Sequence, residues 1–206
     1  MLRRYCDDCF RRKTDALAEC DQAGQYLAEL KADGYRAHVE FTPDGPTVWS
    51  RRWKKHPVST AMLALLEKTY HFVPKGTIFD GEWLKIRTSG PETLMLWDVM
   101  FWKGKWIGTR PLIERRKFLI GTPNVWEKHD PEDFESLEEP ILTLAHSTSK
   151  DFEAYFKWSK RLPWTEGVVL KKMDSTLVGS IKDRTVNPAW IKVKWRDGCD
   201  GHTVIA

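Results

Sequence analysis

The feature that most constrains the fold is the dipeptide Asp33-Gly34, which separates two runs of alternating apolar and polar residues. The runs at 25–30 and 36–41 have the period of two that is typical of β-strands with one buried face. Asp-Gly is a strong turn signal between such runs. The sequence therefore predicts a strand, a tight turn and a second strand, with Lys31 standing where the first strand meets the turn.

Lys31 admits two interpretations. A solvated lysine on a surface hairpin is the commoner one for an isolated Lys-x-Asp-Gly. A lysine at the end of a buried strand is unusual, because desolvation and nearby cations can lower the pKa of an amine, and a neutral amine is a nucleophile. The rest of the chain decides between them.

The same criteria predict the other elements. Ser59 or Thr60 could cap a helix whose apolar residues have helical spacing. Strands are predicted at 25–30, 36–41, 47–50, 77–84, 92–100, 167–172 and 189–195, and helices at 59–70, 112–119 and 151–161. Strands outnumber helices, and hairpins alternate with helical segments. The predicted fold class is therefore α+β with antiparallel sheets, and 206 residues suffice for a substantial core.

Charge and hydropathy exclude several classes of protein. No apolar run approaches the roughly 20 residues that span a membrane, and no apolar stretch of a signal peptide follows the N-terminus. We therefore expect an intracellular, cytoplasmic protein without membrane contact. The net charge of +4 is too small to argue for nucleic acid by itself, although the basic residues are clustered along the chain.

Four cysteines in such a protein are more often thiols or metal ligands than disulfides. Cys6 and Cys9 form a Cys-x-x-Cys pair, and Cys199 and His202 form a Cys-x-x-His pair near the other end. Together they could close a tetrahedral zinc site if the two ends met. Their separation is far outside zinc-finger spacing, so free thiols are the favoured interpretation.

Charged residues at alternating strand positions are candidates for chemistry. Asp80 and Glu82 lie two apart on one predicted strand, as do Lys192 and Lys194 on another, and Glu166 precedes an apolar strand. Each pattern alone is typical of a solvated sheet face. Together, a nucleophilic lysine, carboxylates for a divalent cation and paired lysines meet the needs of nucleotidyl transfer, which depends on positioning and charge neutralisation.

The order of these motifs resembles that of the ATP-dependent DNA ligases, which belong to the covalent nucleotidyltransferase superfamily with RNA ligases and capping enzymes. The resemblance covers about residues 25–195 and rests on seven motifs: Glu29-x-Lys31-x-Asp33-Gly34-x-Arg36, Ser50-Arg51, Asp80-Gly81-Glu82, Trp97-Asp98, Pro111-Leu112-x-x-Arg115-Arg116, Glu166-Gly167-Val168-Val169 and Trp190-x-Lys192-x-Lys194. The motif that ends in two arginines resembles DNA ligases more than capping enzymes.

The resemblance implies a role for each matched residue. Lys31 would attack the α-phosphate of ATP and form a lysyl-adenylate. Glu29 and the adjoining backbone of Leu30 would face the adenine. Trp97, which stands where the family usually has phenylalanine, would offer the purine a flat surface.

Further roles follow for the charged residues. Arg36 and Arg51 would hold ribose and phosphate, Lys192 and Lys194 would contact the α-phosphate, and Glu82 and Glu166 would bind ribose or a magnesium ion. Arg184 is a candidate for an arginine that the family often has upstream of the lysine pair, although its spacing differs. Residues expected to contact nucleic acid are Arg51, Arg52, Lys54, Arg115 and Arg116. AMP would pass from Lys31 to the 5′-phosphate at a nick in double-stranded DNA, and a 3′-hydroxyl would displace it.

The implied architecture has three parts. Residues 1–24 form a polar arm or helix, and residues 25–195 form the nucleotidyltransferase domain, an ATP-grasp-like ligase adenylation fold of two antiparallel sheets with flanking helices. Residues 196–206 are a linker or the start of the C-terminal OB-fold domain that ligases usually have. We expect that domain to be absent, truncated or supplied by a partner chain.

Two other functions stay open. An RNA ligase or an mRNA-capping guanylyltransferase of the same superfamily would differ in the nucleotide that labels the lysine and in the strand that is sealed. A non-catalytic nucleic-acid-binding module could use the basic segment Arg51–Lys55, where Trp53 is interleaved, for backbone contact and stacking. The presence of Lys31 with both glutamates and the lysine pair argues against that module, which would not need them all.

Overall fold

The computed structural model describes residues 15–84, 90–122, 129–177 and 187–195. Within them, the helices are α1 (15–23), α2 (Thr60–Thr69), α3 (Leu112–Ile120) and α4 (Phe152–Ser159), and the strands are β1 (Tyr26–Ala32), β2 (Tyr35–Thr42), β3 (Gly45–Ser50), β4 (Thr77–Leu84), β5 (Thr93–Trp102), β6 (Lys105–Trp106), β7 (Ile141–Leu144), β8 (Ser147–Thr148), β9 (Thr165–Lys172) and β10 (Trp190–Lys194). The predicted α+β class is confirmed. The short strands β6, β7 and β8 were not predicted.

The first sheet has the strand order β10-β9-β1-β8. Strand β9 runs antiparallel to both β1 and β10, so that Gly167 lies opposite Lys31 on one side and Lys194 on the other. Gly167 has φ 141, and a Cβ there would collide with the carbonyl oxygen of Val193. Only glycine fits this position, and the close approach brings the ends of three strands together.

The second sheet has the order β3-β2-β4-β5-β6, and β7 also pairs with β5. The β2–β4 register places Arg36 opposite Glu82 and His38 opposite Asp80. Strand β7 is parallel to β5, so the prediction of antiparallel sheets is wrong for this pair. Parallel neighbours need a long crossover connection, and the segment that contains α3 supplies it here.

Two hydrophobic cores flank β5, which is buried along Thr93–Met100. Met95 and Trp97 belong to one core, together with residues of β1, β9, α1 and α4. Leu94 and Leu96 point the other way, toward α2 and the rest of the second sheet. The alternation of side chains along a strand thus makes β5 the common wall of both cores.

The helices follow local rules. Ser59 caps α2 as predicted, because its Oγ accepts a hydrogen bond from Met62 N at 3.1 Å. Helix α1 packs Leu17 and Cys20 into the first core. None of the helices in the described parts of the chain is long and apolar enough to cross a membrane.

Candidate active site

A cavity of about 410 Å³ lies where residues of both sheets meet. Its walls come from β1, β2, β4, β5, β9, β10 and the segment after β3. The predicted site residues that line it are Glu29, Leu30, Lys31, Arg36, Arg51, Glu82, Trp97 and Lys192. The structure therefore brings together residues that are up to 163 positions apart in sequence (192 minus 29).

Lys31 is the penultimate residue of β1 and donates a hydrogen bond to the Glu166 carboxylate. Lys194 Nζ lies 3.0 Å from the other carboxylate oxygen of Glu166. Burial by itself would raise the pKa of Glu166, but the two lysines outweigh it and hold that pKa below its usual range. Glu166 is therefore a carboxylate that fixes both amines at the edge of the cavity.

Glu82 lines the cavity, and its pKa is shifted in the opposite direction to that of Glu166. Burial raises its pKa to about 7, and the charges of Asp80 and Glu166 add to this, whereas Lys31 and Arg36 act against it. The two glutamates thus differ in ionisation because only Glu166 has paired lysines. With a pKa of about 7, Glu82 would be shifted to the carboxylate form near neutral pH by a bound cation or cationic ligand.

Cations converge at the cavity mouth. Burial lowers the pKa of Lys192, and the positive charges of Lys31, Arg36, Lys194 and Arg51 lower it further. A cleft that holds several like charges attracts an opposite charge strongly. The arrangement therefore favours a polyanion.

Asp80 fixes two side chains of the cavity wall, Arg36 and Trp97. Its fully buried carboxylate accepts two hydrogen bonds from Arg36, and Trp97 Nε1 donates to it at 3.2 Å. Burial alone would raise the pKa of Asp80, but Arg36 and His38 hold it well below its usual range. The Arg36 guanidinium carbon lies 5.2 Å from the centroid of the Trp97 ring, so one carboxylate aligns a cation and an aromatic face.

A buried ionic network lies behind Glu29. Its Oε1 accepts from Lys171 Nζ, and its Oε2 accepts from Arg116 Nη1 at 2.5 Å. Lys171 Nζ also lies 4.5 Å from the ring centroid of Trp190 and 5.2 Å from that of Trp97. Neither Lys171 nor the Trp190 ring was predicted from the sequence to have a role. The one signal was a lysine at the end of the apolar run Val168–Leu170.

Two residues predicted to contact nucleic acid, Arg115 and Arg116, are buried in internal ion pairs. Arg115 is 0% exposed and donates to Asp98 at 2.8 and 2.7 Å. Arg116 is buried against Glu29 and donates to Ser147 Oγ at 3.1 Å. Their guanidinium groups pair with the internal carboxylates of Asp98 on β5 and Glu29 on β1. Both arginines therefore hold α3 against the sheets.

The other predicted contacts remain accessible. Arg52 and Lys54 are exposed in the loop after β3, and Arg51 reaches the cavity. Arg184 lies outside the described residues, as do the zinc candidates Cys6, Cys9, Cys199 and His202. In the described segments, no group of three or more His, Cys, Asp and Glu side chains is arranged to hold a metal ion.

No protein-family model matches the chain. A curated DNA ligase of Methanoculleus marisnigri is 25% identical over 203 aligned residues, which cover 86% of this chain and 33% of that protein. The chain thus spans about a third of the length of the curated relative it matches.

Solved structures agree on the fold. The ligase domain of LigD from M. tuberculosis has a TM-score of 0.54 and 23% identity, covering 75% of this chain and 50% of that one. A mycobacterial DNA ligase D complexed with ATP and MES has a TM-score of 0.54 and 22% identity, with the same coverage. The chain therefore has the fold of the DNA ligase nucleotidyltransferase domain, and the predicted resemblance is confirmed.

Proposed function

We propose that this chain is the adenylation domain of an ATP-dependent DNA ligase. The observation that carries the proposal is the position of Lys31, whose amine is held by Glu166 at the edge of a cationic cavity with an aromatic wall. A solvated hairpin lysine would have none of these neighbours. In the proposed reaction, Lys31 takes AMP from ATP, AMP passes to the 5′-phosphate at a nick, and a 3′-hydroxyl displaces AMP to seal the strand.

The first step is attack of the unprotonated Lys31 Nζ on the α-phosphorus, which forms a nitrogen–phosphorus bond, breaks the bond from the α-phosphorus to the bridging oxygen and releases pyrophosphate. The Glu166 carboxylate, which accepts the hydrogen bond from Lys31, would take the proton that the amine loses. The contact with Glu166 orients the amine, so little motion is needed before attack. Lys192 and Lys194, on β10, and Arg36 and Arg51 would neutralise the phosphate oxygens. Preorganised cations of this kind stabilise charge that develops in the transition state.

The purine would occupy the cavity beside Trp97, whose ring is held by the hydrogen bond to Asp80. Glu29 and Leu30 line the same cavity, as expected for residues that face the base. The Glu29 carboxylate already pairs with two cations, so its side chain meets the base as part of a neutralised network.

Glu82 and Glu166 fit a magnesium ion. Magnesium commonly binds through one or two carboxylates, with substrate phosphates and waters completing its shell. The charge of Glu166 contributes to the raised pKa of Glu82, and a divalent cation held by these carboxylates would offset that repulsion. When bound, magnesium would neutralise charge on the phosphates.

Nicked duplex DNA is the proposed nucleic-acid substrate. Arg51, Arg52 and Lys54 support this, because they place exposed positive charge beside the cavity. We also propose that an OB-fold domain, in this chain or in a partner, completes the grip on the duplex. A substrate pair of ATP and DNA supports the expected cytoplasmic location.

Labelling tests the proposal. The purified chain is incubated with magnesium and α-labelled ATP or GTP, and retained acid-labile label is measured for wild type, Lys31→Arg and the control Lys172→Ala. Lys172 lies on β9 and pairs with Asp174, away from Lys31. We expect label from ATP in wild type and Lys172→Ala and none in Lys31→Arg. Label from GTP alone would indicate capping chemistry, and label from neither would favour a binding module.

A further inference from the structure

The loop after β3 is closed at its base by its own backbone. Ser50 N donates to Lys54 O at 2.8 Å, and Trp53 N donates to Ser50 O at 2.9 Å. We call residues 50–55 the basic loop, since four of its six side chains are exposed cations: Arg51, Arg52, Lys54 and Lys55. A short, hydrogen-bonded loop of this kind presents its charges in a defined pattern.

Trp53 adopts a strained backbone conformation within this loop. Its φ of 55 lies in the left-handed region, which is strained for a bulky side chain. Glycine would adopt the same conformation freely. The strain therefore indicates that the indole itself is needed at this position.

The indole packs inward on His38. The two rings are stacked, with centroids 5.2 Å apart and planes 7° from parallel. Among the described residues, no acceptor lies within hydrogen-bond distance of Trp53 Nε1, although that atom is buried. Ring stacking, and not a hydrogen bond from the indole, therefore accounts for the placement of Trp53.

His38 connects the basic loop to the candidate active site. It is 4% exposed on β2, and its Nδ1 lies 3.4 Å from Asp80 Oδ1. Asp80 is the carboxylate that holds Arg36 and Trp97. Direct contacts thus run from Trp53 through His38 and Asp80 to the cavity wall.

We propose that Trp53 and His38 are positioning residues that lock the basic loop in the shape that binds the phosphodiester backbone of nicked duplex DNA beside the cavity. The inference rests on the proposed function and adds the residues that set the loop's shape. Ordering long side chains and a loop on binding costs free energy, and a preformed loop avoids part of that cost. Loss of the ring stack should therefore weaken DNA binding without removing any charge.

The test uses the full chain as wild type, Trp53→Gly, Trp53→Phe, His38→Ala and the double variant Trp53→Gly/His38→Ala. Affinity for a fluorescein-labelled nicked duplex is measured by anisotropy over a range of KCl concentrations, with thermal melting and ATP labelling of the same samples. Lys157→Ala is the charge control, since Lys157 is an exposed cation on α4.

We expect Trp53→Gly to raise the Kd about tenfold and to make the slope of log affinity against log salt shallower by about one, as for a lost phosphate contact. Its Tm should fall only modestly, because glycine relieves the backbone strain and so offsets part of the lost ring packing. Trp53→Phe should bind as wild type, since it keeps the ring. The double variant should lose less than the sum of the two single losses, because both changes break the same stack, while His38→Ala also removes the contact with Asp80.

A wild-type Kd for Trp53→Gly would overturn the inference, as would additive losses in the double variant or a Trp53→Phe defect equal to that of Trp53→Gly. A failure of the proposed function can be distinguished from a failure of this inference. A wild-type chain that takes no label from ATP, yet loses DNA affinity on Trp53→Gly, would contradict the ligase proposal and support the positioning roles.

Discussion

Arg115→Met tests whether this arginine is a structural residue or a nucleic-acid contact. Both Arg115 and Asp98 are 0% exposed, and they share two hydrogen bonds of 2.8 and 2.7 Å. Arg115 Nη1 also donates to the carbonyls of Arg110 and Ser175, at 2.5 and 2.9 Å. Methionine fills a similar volume but leaves the Asp98 carboxylate buried without a cation.

The expected loss is large. Removing one partner of a buried ion pair destabilises a protein by about 3–5 kcal/mol, and here two carbonyls lose a donor as well. For a domain of this size, a loss of about 4 kcal/mol lowers the Tm by roughly 8–16 °C. Urea unfolding followed by tryptophan fluorescence measures the free energy directly. The control Lys157→Met breaks an exposed pair with Glu153 and should cost under about 0.5 kcal/mol.

The loss should depend on pH in a predictable direction. Burial already raises the pKa of Asp98, against the opposing effect of Arg115, and removal of Arg115 raises it further. The folded variant then binds a proton more tightly than the unfolded chain, so its free energy of unfolding falls as pH rises through the folded pKa. Arg115→Met should therefore be less damaging at pH 5 than at pH 8. Asp98→Asn leaves the Arg115 guanidinium buried without its carboxylate at every pH. Its loss of stability should therefore not become smaller at low pH.

A loss of stability below about 1 kcal/mol, together with a marked loss of DNA affinity in Arg115→Met, would refute the reasoning. Arg115 would then act at the surface, as the sequence alone suggested. Double-variant analysis gives a second check. The losses of Asp98→Asn and Arg115→Met should combine to less than their sum, because each removes the same pair.

Three further predictions concern the cavity. Trp97→Phe keeps an aromatic face but loses the 3.2 Å hydrogen bond to Asp80, so we expect about 1 kcal/mol less stability and a higher KM for ATP in the labelling assay. Burial raises the pKa of Glu82 to about 7 from 4.5, so without nucleotide the free energy of unfolding should fall as pH rises between these values, and Glu82→Gln should flatten that slope in urea titrations. Gly167→Ala places a Cβ against Val193 O and should cost at least about 2 kcal/mol and abolish labelling, whereas Gly24→Ala, where no atom lies within 4 Å of an added Cβ, should label normally.

Much of the fold follows from local patterns. Alternating apolar residues, or continuous apolar runs in β5 and β9, correctly predict β1, β2, β4, β5 and β9, because each strand buries at least one face in a core. The Asp33-Gly34 turn correctly predicts the change from β1 to β2. Ser59 correctly predicts the start of α2, since capping is a contact within one turn of chain.

What the sequence could not predict depends on contacts between distant segments. Arg115 and Arg116 have the composition of a basic surface patch, and nothing near them indicates that Asp98 and Glu29 neutralise them. Strand β7 is only four residues long, and it forms a strand because it pairs in parallel with β5. Lys171 looks like an exposed strand end until β1 brings Glu29 against it.

The lysine that carries AMP is the most direct test of the account. After incubation of the full chain with ATP and magnesium, proteolysis and mass spectrometry identify the adenylated peptide. Our account predicts the adduct on Lys31 and none on Lys171, Lys192 or Lys194, which share the site. An adduct on another of these lysines, or an unmodified chain after incubation with ATP, would contradict it.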